Sequence, residues 1–156
     1  MPHGTGRSLR LAALGFACNV GFSTAVAIRD GLPGRPFGIR APLSVPQGIL
    51  VGWGAGVAAP WPMPVAALMV AARVTNRPAD FRPTLVCAGI GVAGIIGLLI
   101  EPITYAQSSW SPATRASIAL GFLSSAILAV TALCHMKEIS GPEPAQPRLS
   151  AGASMR

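Results

Sequence analysis

The chain has 156 residues, 12 of them basic and 5 acidic, and charged side chains make up only 11%. Soluble domains carry roughly 25%, and here 51% of residues are hydrophobic, with 18 glycines besides. That balance excludes a disordered polyelectrolyte and argues against an ordinary water-soluble domain.

The net charge of +7 could suit nucleic acid, but the basic residues form short clusters between long uncharged stretches. No nucleic-acid partner is expected; the lipid bilayer is. Positions 11–28, 41–72 and 116–136 carry no charge, and 83–114 carry only Glu101. A crossing helix needs about 20 mostly apolar residues. Four gaps therefore predict an all-α integral membrane four-helix bundle, spanning residues 9–139, with crossings near 9–28, 48–72, 83–105 and 113–135. Residues 1–8 are expected as a tail, and the polar, Pro-rich 140–156 as a disordered tail.

In the first span, Asn19, Ser23 and Thr24 bring polar groups into an apolar helix, where they suit bonding between helices. Arg7 and Arg10 followed by an apolar run and Ala25-Val26-Ala27 also fit a cleavable leader, a rival to a first span. Pro42, Pro46 and the Gly/Pro-rich 30–40 belong to a loop. The second span is expected to be broken in its middle by Pro60-Trp61-Pro62-Met63-Pro64, because each proline removes a backbone donor. Carbonyls freed at membrane depth need a partner, which makes Pro60 and Trp61 candidate site residues, although a packed kink satisfies the same pattern.

The third span holds Glu101. The spacing Gly89-Ala93-Gly97-Glu101-Tyr105 predicts one helix face carrying the carboxylate into the bundle with Tyr105 beside it. Ionisable residues within spans often mark proton or cation paths; a boundary Glu reaching headgroups is the plainer alternative. Gly89-Ile-Gly91-Val-Ala-Gly94 fits GxGxxG, but no βαβ pattern or correctly spaced acidic residue accompanies it. Small residues four apart mark packing faces: Gly21 in span one, Gly48, Gly52 and Gly56 in span two, Gly89 and Gly97 in span three, Gly121 and Ser125 in span four. His135 is expected at the interface beside Lys137.

Cys18, Cys87 and Cys134 are isolated from one another, so neither a disulfide framework nor a metal site is indicated, and no cofactor motif is present. No catalytic residue set stands out, so the chain is read as a non-enzyme. Eight positive charges fall on the N-terminus, second loop and C-terminal tail, against four on the other loops, which places both termini in the cytoplasm of a bacterial plasma membrane. The leading expectation is an accessory or scaffolding subunit, a homo-oligomer or a partner of other membrane helices. The alternative is a small proton- or cation-coupled transporter using Glu101 and the broken second span.

Overall fold

The computed structural model describes residues 3–76, 81–106 and 110–140. Among these, the chain is all-helical. Five α-helices run in the order α1 (His3–Arg29), α2 (Val45–Val51), α3 (Pro62–Asn76), α4 (Phe81–Ile100) and α5 (Pro112–Ile139). Three of them, α1, α4 and α5, are long and apolar enough to cross a membrane. At about 1.5 Å per residue, the 20 residues of α4 reach roughly 30 Å, the thickness of a hydrocarbon core. The 15 residues of α3 reach only about 22 Å.

The helices close into a ring in which α4 packs on α5, α5 on α1, α1 on α3 and α3 on α4, with α4–α5 the most extensive contact. The α4–α5 seam is close because glycine permits it. A Cβ on Gly91 would sit 2.6 Å from the Ser125 carbonyl oxygen and 2.7 Å from the Ala129 nitrogen, and one on Gly94 would strike Ser125 Oγ at 2.5 Å. Backbone therefore lies against backbone, the device that substitutes for hydrophobic driving force between helices in lipid. The interior of this half is built from Leu9, Ala13 and Phe16 of α1, Ala67 and Ala71 of α3, Cys87 of α4, and Leu128 and Ala132 of α5.

A second, separate core caps the ring at the C-terminal ends of α1 and α4. Val26 and Ala27 meet Ile49 of α2, Ala55, Val57 and Ala58 of the following loop, and Ile118 of α5. The loop is held by its own backbone: Ala55 and Ala58 exchange N–H···O bonds of 2.9 and 3.1 Å, Gly54 N–H donates to Gly48, and Gly56 N–H donates to Leu32. Gly52 and Gly54 adopt φ of +91° and +80°, which side-chain-bearing residues rarely tolerate.

Several expected boundaries move. Residues 48–72 are not one interrupted helix. Two separate helices, α2 and α3, flank ten irregular residues, 52–61, and Pro62 is the first residue of α3, where a missing N–H costs nothing. The prolines thus begin a helix; they do not break one. Helix α1 starts at His3, within the segment expected as a tail. The helix carrying the third span stops at Ile100, because Glu101 is extended (ψ 122°) and Pro102–Tyr105 forms a 3-10 turn. Of the tail expected over 140–156, residues 141–156 lie outside the described residues.

Candidate functional site

Glu101 follows the last residue of α4. The turn behind it satisfies carbonyls that the helix end leaves open: Thr104 Oγ1 donates to Leu98 and the Tyr105 hydroxyl to Leu99, at 2.6 and 2.7 Å. The Glu101 side chain points inward and is buried, at 7% exposure. Both carboxylate oxygens accept from the backbone N–H of Arg35, at 3.0 and 2.9 Å. The carboxylate therefore pins the loop after α1 onto the end of α4. Burial pushes its proton affinity above the ordinary carboxylate range, opposed by the Arg35 N–H and the Arg35 charge.

Glu101 faces two spaces. Inward is a cavity of about 130 Å³ under the cap, walled by Phe16, Asn19 and Ser23 of α1, by residues 53–60, by Gly94 and Gly97 of α4 and by Gly121 and Ser125 of α5. Outward is a vestibule of about 270 Å³ formed by Gly31–Pro33, Arg35 and Pro102–Ile103. Glu101 borders both, and Arg35, which holds its carboxylate, lines the vestibule. On the same measure one water needs roughly 10–15 Å³, so the inner cavity has room for a small solute. Asn19 Oδ1 is buried and has no partner in the protein, an arrangement that costs free energy unless something completes it.

Of the residues singled out by sequence, the cavity collects Glu101, Asn19 and Pro60, together with Gly56, Gly97, Gly121 and Ser125. Tyr105 is not among them: with the helix ending at Ile100 the expected face does not continue, and Tyr105 is 64% exposed. Trp61 lies outside as well, half exposed, with its N–H on the Ile49 carbonyl. Sequence reasoning missed Trp53, whose indole N–H is fixed on the Gly34 carbonyl at 3.1 Å and whose ring is part of the cavity wall. Nothing local marks it, because it reaches the cavity only through the fold of the cap.

The packing glycines divide. Gly121 meets Leu98 across the α4–α5 seam and Ser125 meets Gly91 and Gly94. Gly89, Gly97 and Gly21 have open space where a side chain would begin, so the α4 stripe that packs is Gly91, Gly94 and Leu98. The GxGxxG match and the small residues of α5 together held that signal. Gly48 and Gly56 pack within the cap and Gly52 ends α2; none lies in a crossing helix.

Other polar groups tie helices together. Ser117 Oγ donates to Ser23 Oγ at 2.7 Å between α5 and α1. Asp30 accepts from Ser111 Oγ and Thr114 Oγ1, both at 2.8 Å, and pairs with Arg29 at 2.7 Å. Those bonds, the Arg29 contact first, hold the Asp30 carboxyl well below the usual range. Ser111 also caps α5 by accepting from the Thr114 N–H. His135 is buried within the bundle, at 1% exposure, where the early start of α1 lays Thr5 against its Nδ1 at 2.7 Å. Thr5 in turn donates to Glu138. Cys87 is buried while Cys18 and Cys134 are exposed. Among the described residues, no three His, Cys, Asp or Glu side chains group as a metal site.

No family model, curated protein or solved structure matches this chain.

Proposed function

We propose that the protein is a non-enzymatic, multi-pass plasma-membrane carrier of a small solute, coupled to protons or cations through Glu101. The observation that carries this reading is a buried carboxylate, the sole charged group among the described residues in the wall of a capped cavity. Helix α3, with the irregular segment before it, makes the fourth crossing. Irregular backbone is tolerated at such depth only where protein covers it, and residues 54–58 are covered by α1, α5 and the turn after α4. Both termini are cytoplasmic by the arginine asymmetry, which puts the cap on the opposite face. Alternating exposure of Glu101 to vestibule and cavity then follows from making and releasing the Arg35 contact.

Reconstitution tests it. Proteoliposomes bearing the wild type should accumulate solute from a panel of small metabolites when an inward pH gradient is imposed. Glu101→Gln, inserted at equal density, should lose that accumulation by at least tenfold. Gradient-independent wild type, or a Gln variant as active as wild type, sinks the reading.

The scaffold reading is favoured by a different observation. A groove of about 650 Å³ runs between α1 and α5, lined by Ser8, Gly15, Phe22, Leu123 and Thr131 among others, and Gly89 lies open on the far face of α4. These are surfaces on which another helix can approach closely. Replacing Gly15 with Leu should shift a complex to smaller size on mild-detergent chromatography if that groove holds a partner; a wild type that is strictly monomeric removes this reading.

A further inference from the structure

The hydrogen-bonding character of the cavity wall identifies the chemical class of solute. Six N–H donors around it are already engaged within the protein. The Gly54, Ala55, Gly56 and Ala58 amides donate to Gly48, Ala58, Leu32 and Ala55 respectively. The Trp53 indole N–H donates to Gly34, and the Arg35 amide donates to Glu101 itself. Two acceptors stand out among the rest: the Glu101 carboxylate, with further lone pairs, and the buried, unpartnered Oδ1 of Asn19, whose amide also carries two N–H donors. The Ser23 and Ser125 hydroxyls can serve either way. Among the described residues, no basic side chain lines the wall. The Trp53 and Phe16 rings in it suit a cation.

Resting on the carrier reading of this cavity, we infer that its solute is a small primary ammonium, a protonated amine with a short apolar body. An ammonium head brings three donors and no acceptor. It complements Glu101 and Asn19 together, and its charge compensates the buried carboxylate. Its bond to a carboxylate joins two full charges, whereas the backbone amide donor carries none. The ammonium competes with the Arg35 N–H for Glu101, so occupation of the cavity loosens the Arg35 loop from the end of α4. An anion would meet a carboxylate with no cation beside it in the cavity, and a neutral solute would leave the carboxylate charge uncompensated.

Full-length protein in lipid nanodiscs, titrated calorimetrically, tests this with methylammonium, tetramethylammonium, acetamide and acetate as probes. Methylammonium should bind saturably. Its affinity should fall at least tenfold in Glu101→Gln and several-fold in Asn19→Ala. Since Glu101→Gln also alters an anchor of the cap, a second variant fills the cavity: Gly97→Leu enters open space and should abolish binding with the helical melt retained. Hydrogen exchange at the Arg35 amide should rise severalfold when methylammonium is bound. Equal affinity for tetramethylammonium, acetamide or acetate, undiminished binding in Gly97→Leu, or slower Arg35 exchange overturns the inference. Methylammonium that binds as described but is never moved across proteoliposomes leaves this inference standing and removes the carrier. Glu101-dependent transport of a neutral or anionic solute does the reverse.

Discussion

The two halves of the molecule hold together by different means. The helical half, from the middle of the helices to the ends near Thr5 and His135, is packed through small residues. Gly91 and Gly94 let α4 rest on α5, and its core is largely Ala with a few Leu, Val and Phe side chains. The cap, residues 30–61, has one seven-residue helix. It relies on loop hydrogen bonds, on four left-handed glycines and on one carboxylate from α4. A helix satisfies its own backbone, so the first half needs little beyond shape. The cap must find a partner for each amide separately, and that need turns Glu101 into both an anchor and the edge of a cavity.

Breaking the helical half should have the largest effect. Gly91→Leu forces a side chain against the Ser125 and Ala129 backbone, which cannot yield. Overpacking of this kind costs about 1–3 kcal/mol and occasionally more. Loss of monodisperse protein in detergent is the expected result. Gly89→Leu, two positions away on an open face, should melt as wild type does. If both variants behave alike, the seam is not where the helices depend on one another.

Breaking the cap should be milder and local. Gly54→Ala must hold φ near +80° with the Ala58 carbonyl 3.0 Å from its Cβ. A left-handed L-residue costs roughly 1–2 kcal/mol. Hydrogen exchange should quicken at residues 53–60 while amides of α4 and α5 keep their protection. Uniform acceleration throughout would mean that cap and helices unfold as one.

Between the halves, Ser117→Ala removes the donor to Ser23 and should lower stability by about 1 kcal/mol, read as a shift of the thermal midpoint. The smallest effect concerns pH. The Asp30 carboxyl is held low in the folded protein, so the native state binds fewer protons than the unfolded chain near the ordinary Asp range of about 3.9. Its contribution is therefore present above that range and is lost as pH falls through and below it. Melting between pH 7 and pH 3 should show a decline that flattens in Asp30→Asn; an unchanged slope would assign the decline to other carboxylates.

The long helices were legible because charge is excluded from lipid-length runs, and α1, α4 and α5 each fill one such gap. The second gap misled for a physical reason. Residues 41–72 are uncharged whether they cross as a helix or fold back as a buried cap, since both surroundings reject charge equally. Gly/Pro content pointed to irregular backbone, but not to where Pro60 and Pro62 would stand relative to a helix.

Composition and charge spacing alone determined that this polypeptide is helical and suited to lipid, because those properties follow from desolvation, which each segment experiences by itself. Tertiary structure decided which face of α4 packs, that Glu101 turns inward after the helix has ended, and that Trp53, Asn19 and Ser125 share one cavity. Those outcomes depend on the register of α4 against α5 and on backbone bonds between Leu32, Gly48 and the 54–58 loop. Such contacts join residues far apart in the chain, and no local pattern of side chains encodes them.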